Sequence, residues 1–247
     1  MLLKYDLHIH SCLSPCGDND MTPANIAAMA ELAGYDVIAL SDHNTVKNCR
    51  PAISAARQSP LLVLPAMELT TAEEAHVLCL FSDLDAAESF GEYVYSRLPD
   101  IENDPEFFGE QRLMDDTDGI LGFEKKMLIN ATDIGINEIS SLAESYGGIA
   151  IPAHIDRSSF SILSNLGYFD RTVGFDLCEL SRQADVRALA EQHPELEGLG
   201  YIVDSDAHSL GAMPDAEKSL ECGEKTAASV IASLRRGTFL QKIHPFR

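Results

Sequence analysis

Six of the eight histidines stand in short motifs with other potential metal ligands. His8 and His10 lie two residues apart, so a strand there places both imidazoles on one face. The other four accompany carboxylates or end apolar runs, in the segments Ser-Asp-His43, Glu68 with His76 eight positions later, Pro-Ala-His154, and Ser-Asp206-Ala-His208. Imidazole mixed with carboxylate suits Zn, Mn or Fe, whereas Ca and Mg prefer all-oxygen ligand sets. The pattern therefore predicts a site for divalent metal ions.

Strands and helices must alternate to bring these motifs together. Short apolar runs alternate with helical patterns along most of the chain, which is typical of strand–helix units. Seven strands are predicted, at residues 3–9, 36–40, 61–67, 75–81, 149–153, 175–179 and 201–205. The segment 68–74 is too short for a helical crossover, which needs about a dozen residues, so the third and fourth strands form an antiparallel pair. Glu68 and His76 then lie at the same edge of the sheet.

The position of the ligand candidates at strand ends favours a barrel over an open sheet. Closing the sheet would gather the six histidines and their carboxylates at the C-terminal rim, where barrels place their chemistry. The 247 residues match the roughly 250 of a single barrel. We therefore predict an α/β fold with one domain over residues 1–247. An insertion at about 99–128 contains a hairpin at 107–128 that turns near 115–119.

The composition favours a small substrate in the cytoplasm. Formal net charge is −21, from 39 acidic against 18 basic residues, and such a surface repels a nucleic-acid backbone. A small phosphorylated substrate is therefore predicted, and long nucleic acid is not expected as a partner. The sequence contains no apolar run of about 18 residues and no signal-peptide segment, so no membrane partner is expected. Its six cysteines form no CxxC pair, which is typical of the reducing cytoplasm.

Taken in chain order, the motifs resemble those of one family. The order is HxH, Ser-Asp-His-Asn-Thr at 41–45, Glu followed eight positions later by His, Pro-Ala-His, and Ser-Asp-Ala-His. It resembles the PHP (polymerase and histidinol phosphatase) superfamily over residues 6–211. The resemblance implies a distorted (β/α)7 barrel of PHP type with a trinuclear metal centre that hydrolyses phosphoesters.

The resemblance also implies a ligand set for two or three divalent metal ions, Zn, Mn or Fe. His8, His10, Glu68 and Asp206 would hold the first ion, Glu68 would bridge to a second ion with His76 and His154, and His43 and His208 would hold a third. In the family, the third site often takes an aspartate from a turn just after HxH, and Cys16 stands at that place here. Cys16 could ligate as a thiolate, which favours Zn or Fe. Alternatively it is an inert thiol, and Asp18 or Asp20 fills the place or the third ion is held weakly.

The predicted function is hydrolysis of a phosphate monoester or short nucleotide by a metal-dependent phosphoesterase. A metal-bridging hydroxide would attack phosphorus while the ions, Asp206 among their ligands, stabilise the developing charge. Arg157 is the candidate phosphate clamp, since a guanidinium binds phosphate bidentately; the alternative is a plain surface arginine. Asp42 and Asp6 could each orient a ligand imidazole, or serve only as cap or turn carboxylates.

Other functions stay open. An amidohydrolase-type metal hydrolase also begins with HxH, but such barrels usually use a bridging lysine and a single late aspartate. The Glu68–His76 pair and the Asp206–His208 pair fit the PHP pattern better. A non-catalytic metal-binding regulatory module is the other alternative, and the nearly complete ligand set argues against it. Trimming of a short oligonucleotide from its 5′ end also stays open.

Overall fold

Eleven strands and eight helices lie within residues 1–237 and 241–244, the part of the chain that the computed structural model describes. The strands are β1 (Leu2–Ile9), β2 (Val37–Leu40), β3 (Leu62–Thr70), β4 (His76–Leu80), β5 (Arg112–Met114), β6 (Ile120–Phe123), β7 (Ile149–Pro152), β8 (Leu177–Leu180), β9 (Gly200–Val203), β10 (Ser219–Glu221) and β11 (Gln241–Lys242). The helices are α1 (Pro23–Ala33), α2 (Cys49–Ala55), α3 (Leu84–Arg97), α4 (Pro105–Phe108), α5 (Ile136–Ser145), α6 (Ile162–Leu166), α7 (Val186–Gln192) and α8 (Ala227–Arg236). Each of the seven predicted strands is present, as β1 to β4 and β7 to β9. Among these described helices, none has both the length and the apolar character needed to cross a membrane.

Local signals fix the ends of the helices that cover the sheet. In α1, the Thr22 hydroxyl accepts the Asn25 N–H, and Pro23 occupies the first turn, where its missing N–H is not needed. The helix ends at Gly34, whose φ of 83° is the left-handed conformation that glycine adopts without steric cost. Helix α8 begins in the same way, with the Thr226 side chain accepting the Ser229 N–H.

The main sheet has six strands in the order β10-β1-β2-β3-β4-β7. Strands β1, β2 and β3 run parallel, whereas β4 is antiparallel to both β3 and β7. The prediction of an antiparallel third and fourth strand is therefore confirmed, with Thr70 opposite His76 in the register. Since the connection between them is short, Glu68 and His76 lie at the same edge of the sheet.

The predicted (β/α)7 barrel is confirmed only as a curled α/β sheet. Strands β8 and β9 run parallel in a separate three-stranded sheet, in the order β11-β9-β8. The two sheets meet at an isolated parallel bridge between Ile9 and Ala207, and at a hydrogen bond from the Ile155 N–H to the Glu179 carbonyl. His154, just beyond β7, has a φ of 29°, which leaves the extended geometry that a ladder needs. Because the described residues form no continuous ladder from β7 to β8, the count of seven barrel strands is not confirmed.

The curled sheet separates two apolar cores. An inner cluster draws on strands of both sheets and on α8, and it includes Leu3, Leu7 and Leu234. A larger outer cluster packs the other helices against the sheet and includes Ile26 and Phe90. The inner core is therefore filled with apolar side chains up to the rim where the histidines begin.

A bulge in β1 aims the HxH pair at this rim. Leu7 belongs to the inner cluster but Ile9 belongs to the outer one, and the register with β2 shifts between Asp6 and Ile9. A bulge reverses the alternation of side chains along a strand. Since Ile9 faces outward, its neighbours His8 and His10 face inward, and both are fully buried.

The insertion contains α4 and the predicted hairpin, formed by β5 and β6 with its turn at 115–119. Asn44 ties the segment that follows to the rim. Its amide donates to the carbonyls of Leu128 and Asn130 at 2.7 and 2.9 Å, and its Oδ1 accepts the Thr70 N–H at 2.9 Å. Asn44 is buried with a φ of 51°, a conformation that asparagine tolerates better than most residues.

Replacing Asn44 by alanine is expected to lower the free energy of unfolding by about 2–4 kcal/mol, because three buried backbone groups lose their partner. Urea unfolding followed by circular dichroism measures this. Asn137→Ala, at an exposed position of α5, is the control and should change the value by less than about 0.5 kcal/mol. Equal stability of the two variants would contradict the role assigned to Asn44.

Candidate metal centre

Five imidazoles surround the carboxylate of Glu68, which lies near the end of β3 and is 1% exposed. Its Oε1 lies 2.9 Å from His76 Nδ1, 3.0 Å from His154 Nε2 and 3.3 Å from His8 Nε2. Its Oε2 lies 3.0 Å from His43 Nδ1 and 3.3 Å from His10 Nε2. The structure thus brings five imidazoles from four separate segments of the chain around one carboxylate.

A second carboxylate approaches the HxH pair from the other side. Asp206 Oδ1 lies 3.2 Å from His8 Nε2 and 3.1 Å from His10 Nε2. His208 follows in the same segment, and its ring stacks on that of His10 with centroids 4.1 Å apart. The same four residues that the family resemblance assigned to a first ion, including Glu68, therefore converge on one point.

Hydrogen bonds assign the tautomers of three of these histidines. His8 Nδ1 donates to both carboxylate oxygens of Glu179 at 3.0 Å, and His208 Nδ1 donates to the Asp206 carbonyl at 2.9 Å. His10 Nδ1 lies 2.9 Å from Ser14 Oγ. Because Nδ1 donates outward, each ring directs its Nε2, the atom that would ligate an ion, toward the cluster. The Nε2 atoms of His8 and His10 lie 3.1 Å apart, an arrangement that suits two ligands of one ion.

Asp42 acts on His10 through Ser14. The Asp42 carboxylate accepts the N–H and O–H groups of Ser11, and it accepts the Ser14 hydroxyl at 2.7 Å. Since the Ser14 proton is given to Asp42, Ser14 Oγ accepts from His10 Nδ1. Asp42 therefore touches no imidazole itself. Asp6 lies differently: its carboxylate accepts the Ser205 N–H at 3.1 Å and contacts the backbone of His8 rather than its ring.

Glu179 and Ser14 are two site residues that the sequence analysis did not assign. Glu179 is 1% exposed and also accepts the His154 N–H at 3.2 Å, so it holds two histidine-bearing segments. Its sequence context could have revealed it, because it ends a short apolar strand as Glu68 does. Ser14 carries no such signal, since a serine in a loop is common and only the fold places it beside His10.

The cluster is strongly coupled electrostatically. Burial by itself would raise the pKa of Glu68, but the adjacent His76, His8 and His43 hold that pKa well below its usual range. Burial opposes protonation of His10 and His43, yet their contacts with Glu68, and with Asp206 for His10, raise each pKa to about 9. His208 is different, because burial and the nearby His10 lower its pKa to about 3. Binding of an ion must therefore displace protons from some of these rings.

The donor set fits a divalent ion. For metal–ligand bonds of about 2.1 Å, neighbouring donors lie about 3.0 Å apart in an octahedral site and about 3.4 Å apart in a tetrahedral one. The donor separations around Glu68 and Asp206 are 2.9 to 3.3 Å. His43 Nδ1, His154 Nδ1 and Asp206 Oδ1 are buried without a hydrogen-bond partner among the described residues. Three overlapping donor groups arise: His8, His10, Glu68 and Asp206; His43, Glu68 and His76; and His10, His43 and His208.

His43 belongs to two of these donor groups, one with His10 and His208 and one with Glu68 and His76. His154 Nε2 contacts the same Glu68 oxygen as His76 Nδ1, and the His154 ring stacks on that of His8. Cys16 is exposed and lines the same cavity, and it belongs to none of the three donor groups found in the described residues. Asp18 and Asp20 are exposed and also lie outside these groups. A thiolate ligand at Cys16 stays a prediction.

Arg157 stands at the mouth of this site. Its guanidinium pairs with Asp206 Oδ2, and its side chain is 42% exposed. The two oxygens of Asp206 thus have different neighbours, with Oδ1 toward His8 and His10 and Oδ2 toward Arg157. Arg157 also lines a cavity of about 270 Å³ that opens onto Glu68, His43, His76, His154 and His208.

Backbone strain concentrates at the same rim. Of the six non-glycine residues with positive φ in the described chain, four are Asn44, His154, Phe160 and Asp206, with φ between 29° and 54°. Such conformations cost about 1–3 kcal/mol each and persist where the surrounding structure imposes them, often at functional sites. Their clustering supports a site at this end of the sheet.

Comparisons with known proteins agree with this fold. No protein-family profile matches the sequence. A segment of 71 residues is 34% identical to a 5′-3′ exoribonuclease from Haemophilus influenzae, and it covers 29% of this chain and 25% of that protein. The lesion-specific endonuclease PfuEndoQ from Pyrococcus furiosus has a similar structure, with a TM-score of 0.68 and 19% identity over 96% of this chain. The chain spans only 56% of that endonuclease.

Two further structures define the fold. A complex of Endonuclease Q with a 27-mer duplex that has an abasic lesion at the active site gives a TM-score of 0.64, at 18% identity, over 98% of this chain and 58% of that one. A two-domain protein from Bacteroides vulgatus containing a predicted PHP-like metal-dependent phosphoesterase gives 0.53, at 15% identity, over 95% of this chain and 62% of that one. This chain has the fold of the PHP-like metal-dependent phosphoesterases, as the order of its motifs predicted.

The expectation that long nucleic acid is not a partner is wrong. The proteins similar to this chain include an exoribonuclease, a lesion-specific endonuclease, and an Endonuclease Q in complex with a 27-mer duplex substrate. A negative net charge therefore does not exclude nucleic acid as a class of substrate. The net charge of −21 does not predict the substrate class because it sums charges over the whole protein. The potential at a site depends on its own cations, including any metal ions that its ligands hold.

Replacing Glu179 by glutamine is expected to weaken metal binding by about 10- to 100-fold, because His8 loses the carboxylate that fixes its tautomer and raises its basicity. Competition against a chromophoric chelator measures the affinity for Zn²⁺ or Mn²⁺. Glu144→Gln, at an exposed position of α5, makes the same chemical change away from the site and should leave the affinity unchanged. Equal affinities in both variants would show that Glu179 does not support the ligand His8.

Proposed function

We propose that the chain is a metal-dependent phosphodiesterase that hydrolyses phosphodiester bonds of nucleic acid. The observation that carries the proposal is the convergence of six histidines, Glu68 and Asp206 at one rim, beside an exposed guanidinium and an open cavity. The similarity in fold to PHP-like phosphoesterases and to Endonuclease Q supports the class of reaction. The segment shared with an exoribonuclease supports the class of substrate.

The residues divide into ligands and residues that position them. His8, His10, Glu68 and Asp206 would hold one ion, and the other two donor groups offer places for a second and a third. When bound, the ions supply a nucleophile derived from water at neutral pH and positive charge for the phosphoryl oxygens. Glu179 and the Asp42–Ser14 pair keep the Nδ1 proton of His8 and His10 directed away from the centre.

Arg157 would bind the scissile phosphate next to the ions. A guanidinium offers planar paired donors that match two phosphate oxygens. Its contact with Asp206 Oδ2 fixes the position of the guanidinium relative to the ligand set, because Oδ1 of the same carboxylate faces His8 and His10. Its partial exposure leaves donor groups free to meet a substrate that enters from solvent.

The size of the cavity limits what can enter. About 270 Å³ is near the lower end of the range for ligand pockets and suits one nucleotide better than a stacked duplex. A single strand, a strand end or a nucleotide extruded from a duplex could reach the site. Among the described residues that line the cavity there is no lysine.

The test uses metal-depleted protein and 5′-labelled single-stranded RNA and DNA oligonucleotides, with Mn²⁺, Zn²⁺ or Fe²⁺ added back. We expect cleavage that requires added metal, stops with chelator and is lost in Glu68→Gln, while the Glu144→Gln control keeps it. The product ladder shows whether cleavage begins at an end or internally. Metal binding without cleavage of either polymer, or cleavage that survives both chelator and Glu68→Gln, would overturn the proposal.

Replacing Arg157 by alanine is expected to lower kcat/KM about 10- to 100-fold, since charge-assisted hydrogen bonds contribute about 1.5–3 kcal/mol. Metal content should stay the same, because Arg157 is outside the ligand set. Arg157→Lys should recover only part of the loss, because an ammonium cannot bind bidentately. Arg187→Ala, on the exposed side of α7, is the control. An unchanged kcat/KM in Arg157→Ala would show that Arg157 does not bind the phosphate and is a plain surface arginine.

A further inference from the structure

Phe160 is an exposed aromatic residue at the mouth of the metal centre. Its side chain is 48% exposed, although it is large and apolar, and it lines the same cavity as Arg157 and Glu68. One face of its ring stacks on His76, with centroids 5.0 Å apart and planes 18° apart. Because His76 covers that face, the exposed part of the side chain comprises the opposite face and the edge.

The backbone at Phe160 adopts a conformation that bulky residues rarely adopt. Its φ is 54°, in the left-handed region that is unfavourable for a bulky side chain. The Phe160 carbonyl accepts the His76 N–H at 2.9 Å, which ties the loop to β4. On the C-terminal side, Ser161 Oγ donates to the Arg157 carbonyl at 2.7 Å and accepts the Ser164 N–H as the cap of α6. The loop is thus fixed at both ends, and it presents the ring instead of burying it.

The surroundings of the ring match the chemistry of a nucleobase. A second apolar side chain, Ile129, lines the same cavity from the segment that follows the insertion. The phosphate clamp Arg157 lies three residues before Phe160 in the same loop. A flat apolar wall close to a phosphate-binding guanidinium and a metal site is the arrangement with which proteins bind single-stranded nucleic acid, one base stacking on each aromatic ring.

We propose that Phe160 binds a nucleobase of the substrate by stacking on the free face of its ring. The proposal rests on the proposed phosphodiesterase function and names the feature by which the site recognises its substrate. Stacking is tolerant of base identity because every base has a π face. Phe160 therefore selects nucleotides over phosphodiesters that lack a base, without selecting a sequence.

The test compares two phosphodiesters that share a leaving group: the p-nitrophenyl ester of thymidine 5′-monophosphate, and methyl p-nitrophenyl phosphate. For each metal-loaded protein, the readout is the ratio of kcat/KM for the thymidine ester to kcat/KM for the methyl ester. Phe160→Ala is expected to lower this ratio roughly 10- to 100-fold, the range set by alanine substitution of base-stacking residues. Because Phe160 contacts His76, its substitution could also change turnover at the metal centre. Such a change affects both esters equally and cancels in the ratio.

Two further variants and a control separate stacking from bulk. Phe160→Leu keeps an apolar side chain without a π face, so it should lower the ratio as much as Phe160→Ala does. Phe160→Trp keeps a π face and should leave the ratio close to that of the wild type. Phe107→Ala removes another exposed phenylalanine, which lies in α4, and should leave the ratio unchanged. A ratio in Phe160→Ala equal to that of the wild type overturns the inference, even if both rates fall. Absence of metal-dependent turnover of both esters by the wild type would overturn the proposed function, and this inference with it.

Discussion

The negative charge of a carboxylate that is almost fully buried must be balanced by nearby cations or hydrogen-bond donors. The residues at the rim of this protein are arranged to provide them for Glu68. Burial of an unpaired charge costs several kcal/mol, so Glu68 at 1% exposure is tolerable only with cations or polarised donors around it. Five imidazoles within 3.3 Å meet this need. They come from strands and loops far apart in sequence, so the sheet must curl for the carboxylate to be compensated at all.

The fold meets this constraint through small departures from regular geometry. The bulge in β1 turns His8 and His10 inward, and the short link from β3 to β4 returns His76 to the edge that Glu68 occupies. Positive φ angles at His154 and Asp206 aim these two side chains at the same point. Glu179, and Asp42 through Ser14, then fix the rings of the HxH pair. Four of the six non-glycine residues with positive φ in the described chain thus lie at this rim.

Overall charge is a poor guide to the substrate of such a site. The acidic surface suggested repulsion of nucleic acid, yet a metal centre carries its own positive charge and works over a few ångströms. At 0.15 M ionic strength, interactions between exposed charges are largely screened beyond about 8 Å. The potential that an anion would meet at the rim is therefore set by the ligand set, Arg157 and the cavity wall, and much less by carboxylates elsewhere on the surface.

The sequence by itself determined the seven strands, the antiparallel pair and the ligand candidates at strand ends, because these follow from local periodicity and from connection length. It also identified the hairpin in the insertion, where turn residues separate two short apolar runs. It could not reveal Ser14 or Phe160, since a loop serine and a loop phenylalanine acquire their roles only from what lies beside them. The break between β7 and β8 and the contacts of Glu179 with His8 and His154 likewise depend on distances between residues remote in sequence. Such distances are set by packing of the whole chain, and only the tertiary structure decided them.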